Sequence, residues 1–296
     1  MDKIKVAVIG YGNVGKYAVE AVSAAPDMEL AGVVRRNAES ALDGGVKVTC
    51  DVTELGEVDV ALLCIPTRAV LETAKKYLAL GINTVDCYDV HASIVKVRGE
   101  LDEAAKKAGR VSIVASGWDP GSDSIVRALM EAIVPNGITY TNFGPGMSMG
   151  HSVAAKAVRG VKDALSVTMP QGAGVHKRMV YIELEDGASL GEASREIKAD
   201  PYFISDETHV FAVEDLSRLM DMGHGVNMTR KGVSGKTHNQ MLEFNMRINN
   251  PALTSQVMAA CARAAMRQPA GAYTMIELPV IDMLFGGREE LINRLV

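Results

Sequence analysis

The string Gly10-Tyr11-Gly12-Asn13-Val14-Gly15 constrains this chain more than any other. It follows an apolar run of strand length, Ile4 to Ile9, and precedes a stretch, Lys16 to Ala25, whose apolar residues recur at helical spacing. A second strand pattern follows at Leu30 to Val34, so the opening reads β-α-β. In that setting the glycines of a G-x-G-x-x-G have separate tasks. The first makes the tight turn, the second lets backbone approach a pyrophosphate, and the third lets the helix pack closely on the strand. The helix N-terminus then faces the anion with unpaired N–H groups. Extended to Lys16 the string approaches a phosphate loop, but Tyr17 stands where Ser or Thr would ligand magnesium, which argues against a nucleoside triphosphatase.

The strand-helix alternation continues. Asp59 to Ile65 is a continuous apolar run of the kind a strand buried on both faces shows, and Ala69 to Leu80 reads as a helix stopped by Gly81. Strand patterns at Asn83 to Cys87 and Arg110 to Ala115 flank a helix from about Ile94 to Ala108. The fold class expected is α/β, with a Rossmann-type doubly wound parallel sheet over residues 1–120. After Pro120 longer alternating segments take over, at Ile138 to Phe143, Leu165 to Met169, Arg178 to Leu184 and Leu242 to Ile248. They predict a second, α+β domain with a mixed or antiparallel sheet over residues 121–269. Within it Leu253 to Arg267 has helical spacing, and Met275 to Ile281 reads as a late strand. The C-terminal segment, about 270–296, is expected to return to the first domain. A length of 296 residues suits two domains of ~100–200 each.

Charge and cysteine usage narrow the function classes. Thirty-one Lys plus Arg against 36 Asp plus Glu leave a net charge of −5, which argues against a nucleic-acid partner. No run approaches the ~18–20 apolar residues of a membrane span, and Val6 to Ile9 is too short for a signal-peptide core, so a cytoplasmic location without a membrane partner is expected. Cys50, Cys64, Cys87 and Cys261 form no C-x-x-C pair, and the six histidines form no H-E-x-x-H, so reduced thiols and no metal site are expected.

Two arginines choose between nicotinamide dinucleotides. About 20 residues beyond the glycine turn an acidic side chain would accept the ribose 2′-hydroxyl of NAD. Here stand Arg35 and Arg36, which instead suit a 2′-phosphate through charge-assisted hydrogen bonds, favouring NADP. Doubly wound folds gather ligand groups at the C-terminal ends of their strands, which here carry Cys64-Ile65-Pro66-Thr67, Asp86-Cys87-Tyr88-Asp89-Val90-His91 and Ser116-Gly117-Trp118-Asp119-Pro120-Gly121. Gly10 through Gly15, Arg35, Arg36, Cys64, Pro66, Thr67, Cys87 and Tyr88 are the candidate cofactor residues. Asp89 and Asp119 share that rim, where two carboxylates could hold an ammonium group or orient water; the competing role for each is to cap the next helix. His151 and His224 adjoin glycines in loop contexts suited to binding, and Arg178 and Arg247 are candidate carboxylate forks.

Gly146-Met147-Ser148-Met149-Gly150 matches the G-x-S-x-G nucleophile elbow, and Asp221 and His224 follow it in the order Ser, Asp, His. An elbow normally belongs to the main parallel sheet, whereas this one opens the second domain. A serine hydrolase using Ser148 is one reading of a different class, and a non-catalytic NADP-binding sensor is another.

From end to end the chain resembles the meso-diaminopimelate D-dehydrogenase family, in its shorter-chain branch. The likeness is carried by Gly10 to Gly15, Val33-Val34-Arg35-Arg36, Asp86 to His91, Ser116 to Asp123, Thr139 to Ser152, His176-Lys177-Arg178, Asp221 to Gly225 and Met246 to Pro251. The resemblance implies an NADP-dependent enzyme that reversibly deaminates the D-centre of meso-2,6-diaminopimelate, giving L-2-amino-6-oxopimelate and ammonium. It implies Asp89, Trp118 and Asp119 around the reacting centre, the two aspartates being catalytic. Phe143, Met149, Thr168, Arg178, His224 and Asn250 would line the rest of the pocket. It also implies a homodimer whose second domain supplies substrate contacts and the subunit interface. Cys87 stands where the family pattern leads one to expect a hydroxyl residue. With the shorter branch, this leaves open a broad-specificity D-amino acid dehydrogenase that reductively aminates 2-keto acids.

Overall fold

A computed structural model describes residues 3–37, 42, 45–220 and 223–296, so Asp221 lies outside the described residues. The chain divides into two compact units, 1–125 with 251–296, and 126–250. In chain order the first unit runs β1 (Ile4–Ile9), α1 (Asn13–Ala24), β2 (Met28–Val34), β3 (Val48–Thr49), β4 (Val60–Leu63), α2 (Thr67–Ala79), β5 (Asn83–Asp86), α3 (Ile94–Ala108) and β6 (Val111–Val114). Helix α4 (Ser122–Ile133) carries the chain past the division. The second unit follows with β7 (Asn136–Phe143), β8 (Gly146–Met147), α5 (Met149–Lys156), β9 (Val161–Gly172), β10 (Val175–Leu184), α6 (Leu190–Ala199), β11 (Glu207–Ala212), β12 (Gly223–Ser234) and β13 (Thr237–Asn249). Helix α7 (Asn250–Ala265), β14 (Gly271–Thr274) and α8 (Arg288–Leu295) complete the chain.

The first unit is a parallel sheet in the order β14-β6-β5-β4-β1-β2-β3. Strand β1 shows why it is covered on both sides. Successive side chains of a strand point to opposite faces. Val6 and Val8 therefore join one core with Ala18 and Val22 of α1 and Met258, Ala259, Cys261 and Ala262 of α7. Ala7 and Ile9 join the other with Val70, Ala74 and Leu78 of α2 and Val97, Leu101 and Ala105 of α3. This is the doubly wound fold expected. Helix α7 falls in this unit although it reads as part of the second, because its small and apolar side chains complete the first core. The late strand is β14, four residues upstream of the expected start at Met275. Met275 to Glu277 instead forms a 3-10 turn closed by a capping box between Thr274 and Glu277, and Val280 to Met283 forms another.

The second unit holds two sheets where one was expected. One, β11-β10-β9-β8, is mixed, with β10 and β11 parallel and the remaining pairs antiparallel; the other, β13-β12-β7, is antiparallel throughout. Ala154, Ala155, Val180, Ile182, Ile197 and Phe203 pack α5 and α6 against the mixed sheet.

Candidate active site

The glycine turn leaves β1 at Gly10, whose φ of +94° suits glycine alone. A Cβ on Gly10 would lie 2.3 Å from the Cys64 carbonyl oxygen, and one on Gly15 would lie 2.2 Å from the Gly10 oxygen. These two glycines weld α1 to β1 and β4. Gly12 differs: it is the N-cap of α1, yet a Cβ there would meet nothing within 4 Å. Tyr11 sits in the turn, while Asn13 and Val14 open the helix, which has no side-chain cap and no acidic residue in its first turn. The open space over Gly12 and the uncapped N–H groups form a cradle for a diphosphate. Past the end of β2 the Arg35 guanidinium lies 5.8 Å from the centre of the Tyr11 ring, a cation-π contact, and Arg36 is exposed beside it. Two fixed positive charges at this end of the sheet fit a phosphate on the ribose. The residues present therefore fit NADP.

Farther along the same edge, Cys64 and Pro66 follow β4, and Thr67 opens α2. The Thr67 hydroxyl donates to Asp89 Oδ1 at 2.6 Å. Asp86, fully buried, accepts at Oδ1 from the backbone N–H groups of Tyr88 (2.9 Å) and Ala115 (3.0 Å), and the Ser116 N–H donates to its carbonyl oxygen at 2.7 Å. One side chain thus ties together the loop bearing Tyr88 and Asp89 and the loop bearing Trp118 and Asp119. Burial raises its carboxyl to about 6, against which the two backbone hydrogen bonds work. Asp119, nearly buried, lies 3.8 Å from His91 Nε2, and the next helix starts only at Ser122. Trp118 is buried, its carbonyl accepting from the Asp123 N–H at 2.9 Å. Burial pushes the Cys87 thiol up to about 12, with the charges of Asp86 and Asp89 adding to it, and drives Cys64 well up too. Neither is a nucleophile near neutrality.

The second unit assembles its candidates around the turn from β8 into α5. Strand β8 pairs with β9, so Gly146 faces Thr168 and Met147 faces Val167. A Cβ on Gly146 would lie 2.6 Å from the Cα of His224, which is how closely β12 crosses here. His224 is buried, its Nδ1 accepting from the Gly225 N–H at 2.7 Å. Asn250, also buried, donates from Nδ2 to the Met147 carbonyl at 3.1 Å. Met149 is the first residue of α5. Thr168 and Arg178 are paired across β9 and β10; the Arg178 Nη1 donates to the Thr168 hydroxyl, and its Nε donates to Asp206 Oδ2 at 2.6 Å. Asp206 thereby fixes the guanidinium while Nη2 keeps no partner among the described residues. Phe143 ends β7 with its N–H donating to His176 Nε2 at 2.8 Å, its ring 5.5 Å from that imidazole and 5.9 Å from the Arg127 guanidinium.

His151 stands edge-on to Tyr202 and Phe203, at 5.3 and 5.1 Å between ring centres. Burial, with the charge of Arg178 and then of His224, lowers it to about 3, against a hydrogen bond to the Tyr202 backbone. It is neutral near pH 7, and so low a value makes it a weak base for activating a serine. Ser148 precedes α5 at φ −95°, ψ 113°, an unstrained extended conformation without the strain of an elbow. The backbone turn of a nucleophile elbow is therefore absent at Ser148. Arg247 lies on β13 at an exposed position. Among the described residues no cluster of three or more His, Cys, Asp or Glu could hold a metal ion.

Asp206, His176, Thr67 as a partner of Asp89, and Asp86 as a tie between loops were not assigned these roles from the sequence. His176 and Asp86 lay inside recognised strings, whereas Asp206 had no local signal, since it meets Arg178 only through strand pairing 28 residues away.

Comparison with known proteins places these features. Residues 117–177 match the model of the diaminopimelic acid dehydrogenase C-terminal domain, and residues 4–115 match an oxidoreductase family with an NAD-binding Rossmann fold. A meso-diaminopimelate D-dehydrogenase of Bacteroides fragilis is 61% identical over the whole of both chains. Among solved structures, a C. glutamicum DAP dehydrogenase in complex with DAP is 31% identical with a TM-score of 0.90, covering 100% of each chain. An engineered D-amino acid dehydrogenase bound to NADP+ is 29% identical with the same TM-score, covering 99% of this chain and 100% of its own. With its glycine turn, its strand-end carboxylates and a full-length likeness of this degree, the chain belongs to the meso-diaminopimelate D-dehydrogenase family.

Proposed function

We propose that the protein catalyses the NADP-dependent, reversible oxidative deamination of the D-centre of meso-2,6-diaminopimelate to L-2-amino-6-oxopimelate and ammonium, as a cytoplasmic homodimer. The observation that carries this reading is the 61% identity, over the full length of both chains, to a relative named for that activity. The cradle at Gly12 with Arg35 and Arg36 supports NADP, as does the NADP+ bound by the engineered D-amino acid dehydrogenase of the same fold. Ile138 and Met241 lie exposed on either side of Lys231 in one row across β7, β12 and β13, a mixed face open to a second copy of the chain. Four unpaired cysteines, and the lack among the described residues of any helix long and apolar enough to cross a membrane, agree with a cytoplasmic location.

The chemistry removes a hydride from the substrate α-carbon and a proton from its nitrogen, giving an imine that water hydrolyses to the ketone and ammonium. Bound NADP supplies the hydride acceptor. The chain must hold the D-carbon, accept protons and discriminate the two ends of a nearly symmetric molecule. Asp89, oriented by Thr67, and Asp119, beside His91, hold the reacting ammonium, take its proton and orient the water. Trp118 closes that end. At the distal end Arg178, fixed by Thr168 and Asp206, presents its outer guanidinium edge to a carboxylate. Phe143, Met149, His151, His224 and Asn250 shape the remaining wall.

The first test is NADPH formation with NADP and meso-diaminopimelate, run beside the LL and DD isomers and a panel of D-amino acids. Turnover confined to the meso compound is expected. Comparable turnover across the D-amino acids would instead establish the broader D-amino acid dehydrogenase, which the likeness to the engineered enzyme favours as a second reading. NADPH binding without turnover of any substrate would leave only a sensor. Arg178→Ala should raise KM for meso-diaminopimelate about 10- to 100-fold, as expected for loss of a hydrogen bond to a charged group, and leave KM for a monocarboxylic 2-keto acid nearly unchanged. Equal effects on both would remove Arg178 from the distal end.

A further inference from the structure

Ser148 carries an interaction that neither helix capping nor the assigned site residues explain. A serine before a helix normally turns its hydroxyl onto the N–H of the second or third helical residue. Here α5 receives no side-chain cap from Ser148. The hydroxyl instead lies 2.8 Å from Nδ1 of His151, three residues on. The local structural work is done by Ser152, whose hydroxyl donates to the Ser148 carbonyl at 2.7 Å and accepts the Ser166 N–H at 2.9 Å. The Ser148 backbone is secured separately, its N–H donating to Ser166 at 2.8 Å.

We assign the proton of the neutral His151 imidazole to Nε2, which leaves Nδ1 as an acceptor toward the Ser148 hydroxyl. Ser148 is then the donor. A hydroxyl has one proton and two lone pairs. With the proton committed to His151, Ser148 can only accept further hydrogen bonds. Ser148 lies two residues beyond Gly146, which pairs with Thr168, the cross-strand partner of Arg178, and where a Cβ would lie 2.6 Å from the Cα of His224, so it stands on the side assigned to the distal end of the substrate. That end carries a carboxylate and an ammonium on one carbon. Arg178 supplies donors for the first, and the second needs an acceptor.

We propose that Ser148, oriented by His151 into an acceptor-only state, binds the distal ammonium of meso-diaminopimelate and so helps determine which end of the molecule reaches the D-centre site. This rests on the substrate proposed above. Ser148 is a specificity residue, and His151, which acts through it, is a positioning residue.

D-2-aminopimelate provides the test, because it keeps the carbon chain and both carboxylates and lacks the distal ammonium. Ser148→Ala should raise KM for meso-diaminopimelate about tenfold or more while leaving KM for D-2-aminopimelate within about twofold of wild type. Ser148→Thr, which keeps the hydroxyl, should restore most of the loss and guards against a folding defect in the alanine variant. Equal changes of KM for the two substrates, or no change for either, with wild-type enzyme active on meso-diaminopimelate, would overturn the role of Ser148 alone. If wild-type enzyme turns over neither compound, the proposed substrate itself fails, and the Ser148 assignment falls with it.

Discussion

Arg35 and Arg36 show how much a pair of residues can state on its own. A guanidinium cannot accept a hydrogen bond, so two of them where a carboxylate would receive a ribose hydroxyl reverse the preference between the two nicotinamide dinucleotides. Replacing them together by Asp and Gly should shift the kcat/KM ratio for NADP over NAD by about 100-fold or more, as expected for two lost charge-assisted hydrogen bonds. An unchanged ratio would take both arginines out of the cofactor site. Asp89, Asp119 and Arg178 could likewise be singled out from residue type and position. Their supports could not. Asp206 reaches Arg178 through the parallel pairing of β10 with β11, and His176 reaches the Phe143 N–H from 33 residues away. No local pattern encodes such meetings. The neutral state of His151 was equally hidden, because it depends on burial against Tyr202 and Phe203.

Among the elements, the turn from β1 into α1 offers the sharpest separation of folding from binding. Gly12→Ala adds a methyl group that meets no protein atom within 4 Å, so the variant should melt near wild type, yet lose NADP affinity about tenfold or more because the methyl occupies the diphosphate cradle. Gly10→Ala should behave oppositely and lower thermal stability outright, since its Cβ would lie 2.3 Å from a carbonyl oxygen in a backbone conformation alanine avoids. Thermal melts with and without NADP distinguish the two; a destabilised Gly12→Ala apoprotein would contradict the assignment. Elements with strong periodicity were legible, and α3 lies at the expected Ile94–Ala108. Strand β12 was missed because Gly223, Gly225 and Gly232 dilute its pattern. Two of them are needed for packing: a Cβ would lie 2.6 Å from the Met246 oxygen at Gly225 and 2.1 Å from the Asn136 oxygen at Gly232. The 275–281 run was misread because its apolar residues serve two short turns, one of them set by a capping box.

For the molecule as a whole, histidines held neutral by their surroundings contribute to the acid side of the stability curve. The pKa of His151 is lowered to about 3, and burial and then Arg178 lower that of His176, while an unfolded histidine titrates near 6.5. Below that pH the unfolded chain binds protons that the native state refuses. Stability is therefore complete above about 6.5 and declines as pH falls towards the native values, by up to about 1.4 kcal/mol per pH unit for His151. Asp86 acts with the opposite sign: its carboxyl is raised to about 6, so its contribution is present below the ordinary carboxylate range and is lost as pH rises through 6. Melting temperature should fall between pH 6.5 and 4.5, and the fall should be shallower in His151→Gln. Identical slopes in the two proteins would assign the acid loss to other groups.

The division of the first unit into residues 1–125 and 251–296 also sets a timetable for synthesis. Val6, Val8, Val60 and Leu62 emerge early from the ribosome, but the α7 side chains that cover them, from Met258 to Ala265, are made only after the whole second unit. Strand β14, which pairs with β6 at the edge of the sheet, follows later still. The nascent N-terminal segment therefore carries a sheet face covered only in part, by α1, through the translation of more than a hundred further residues, the interval in which a chaperone has most to protect.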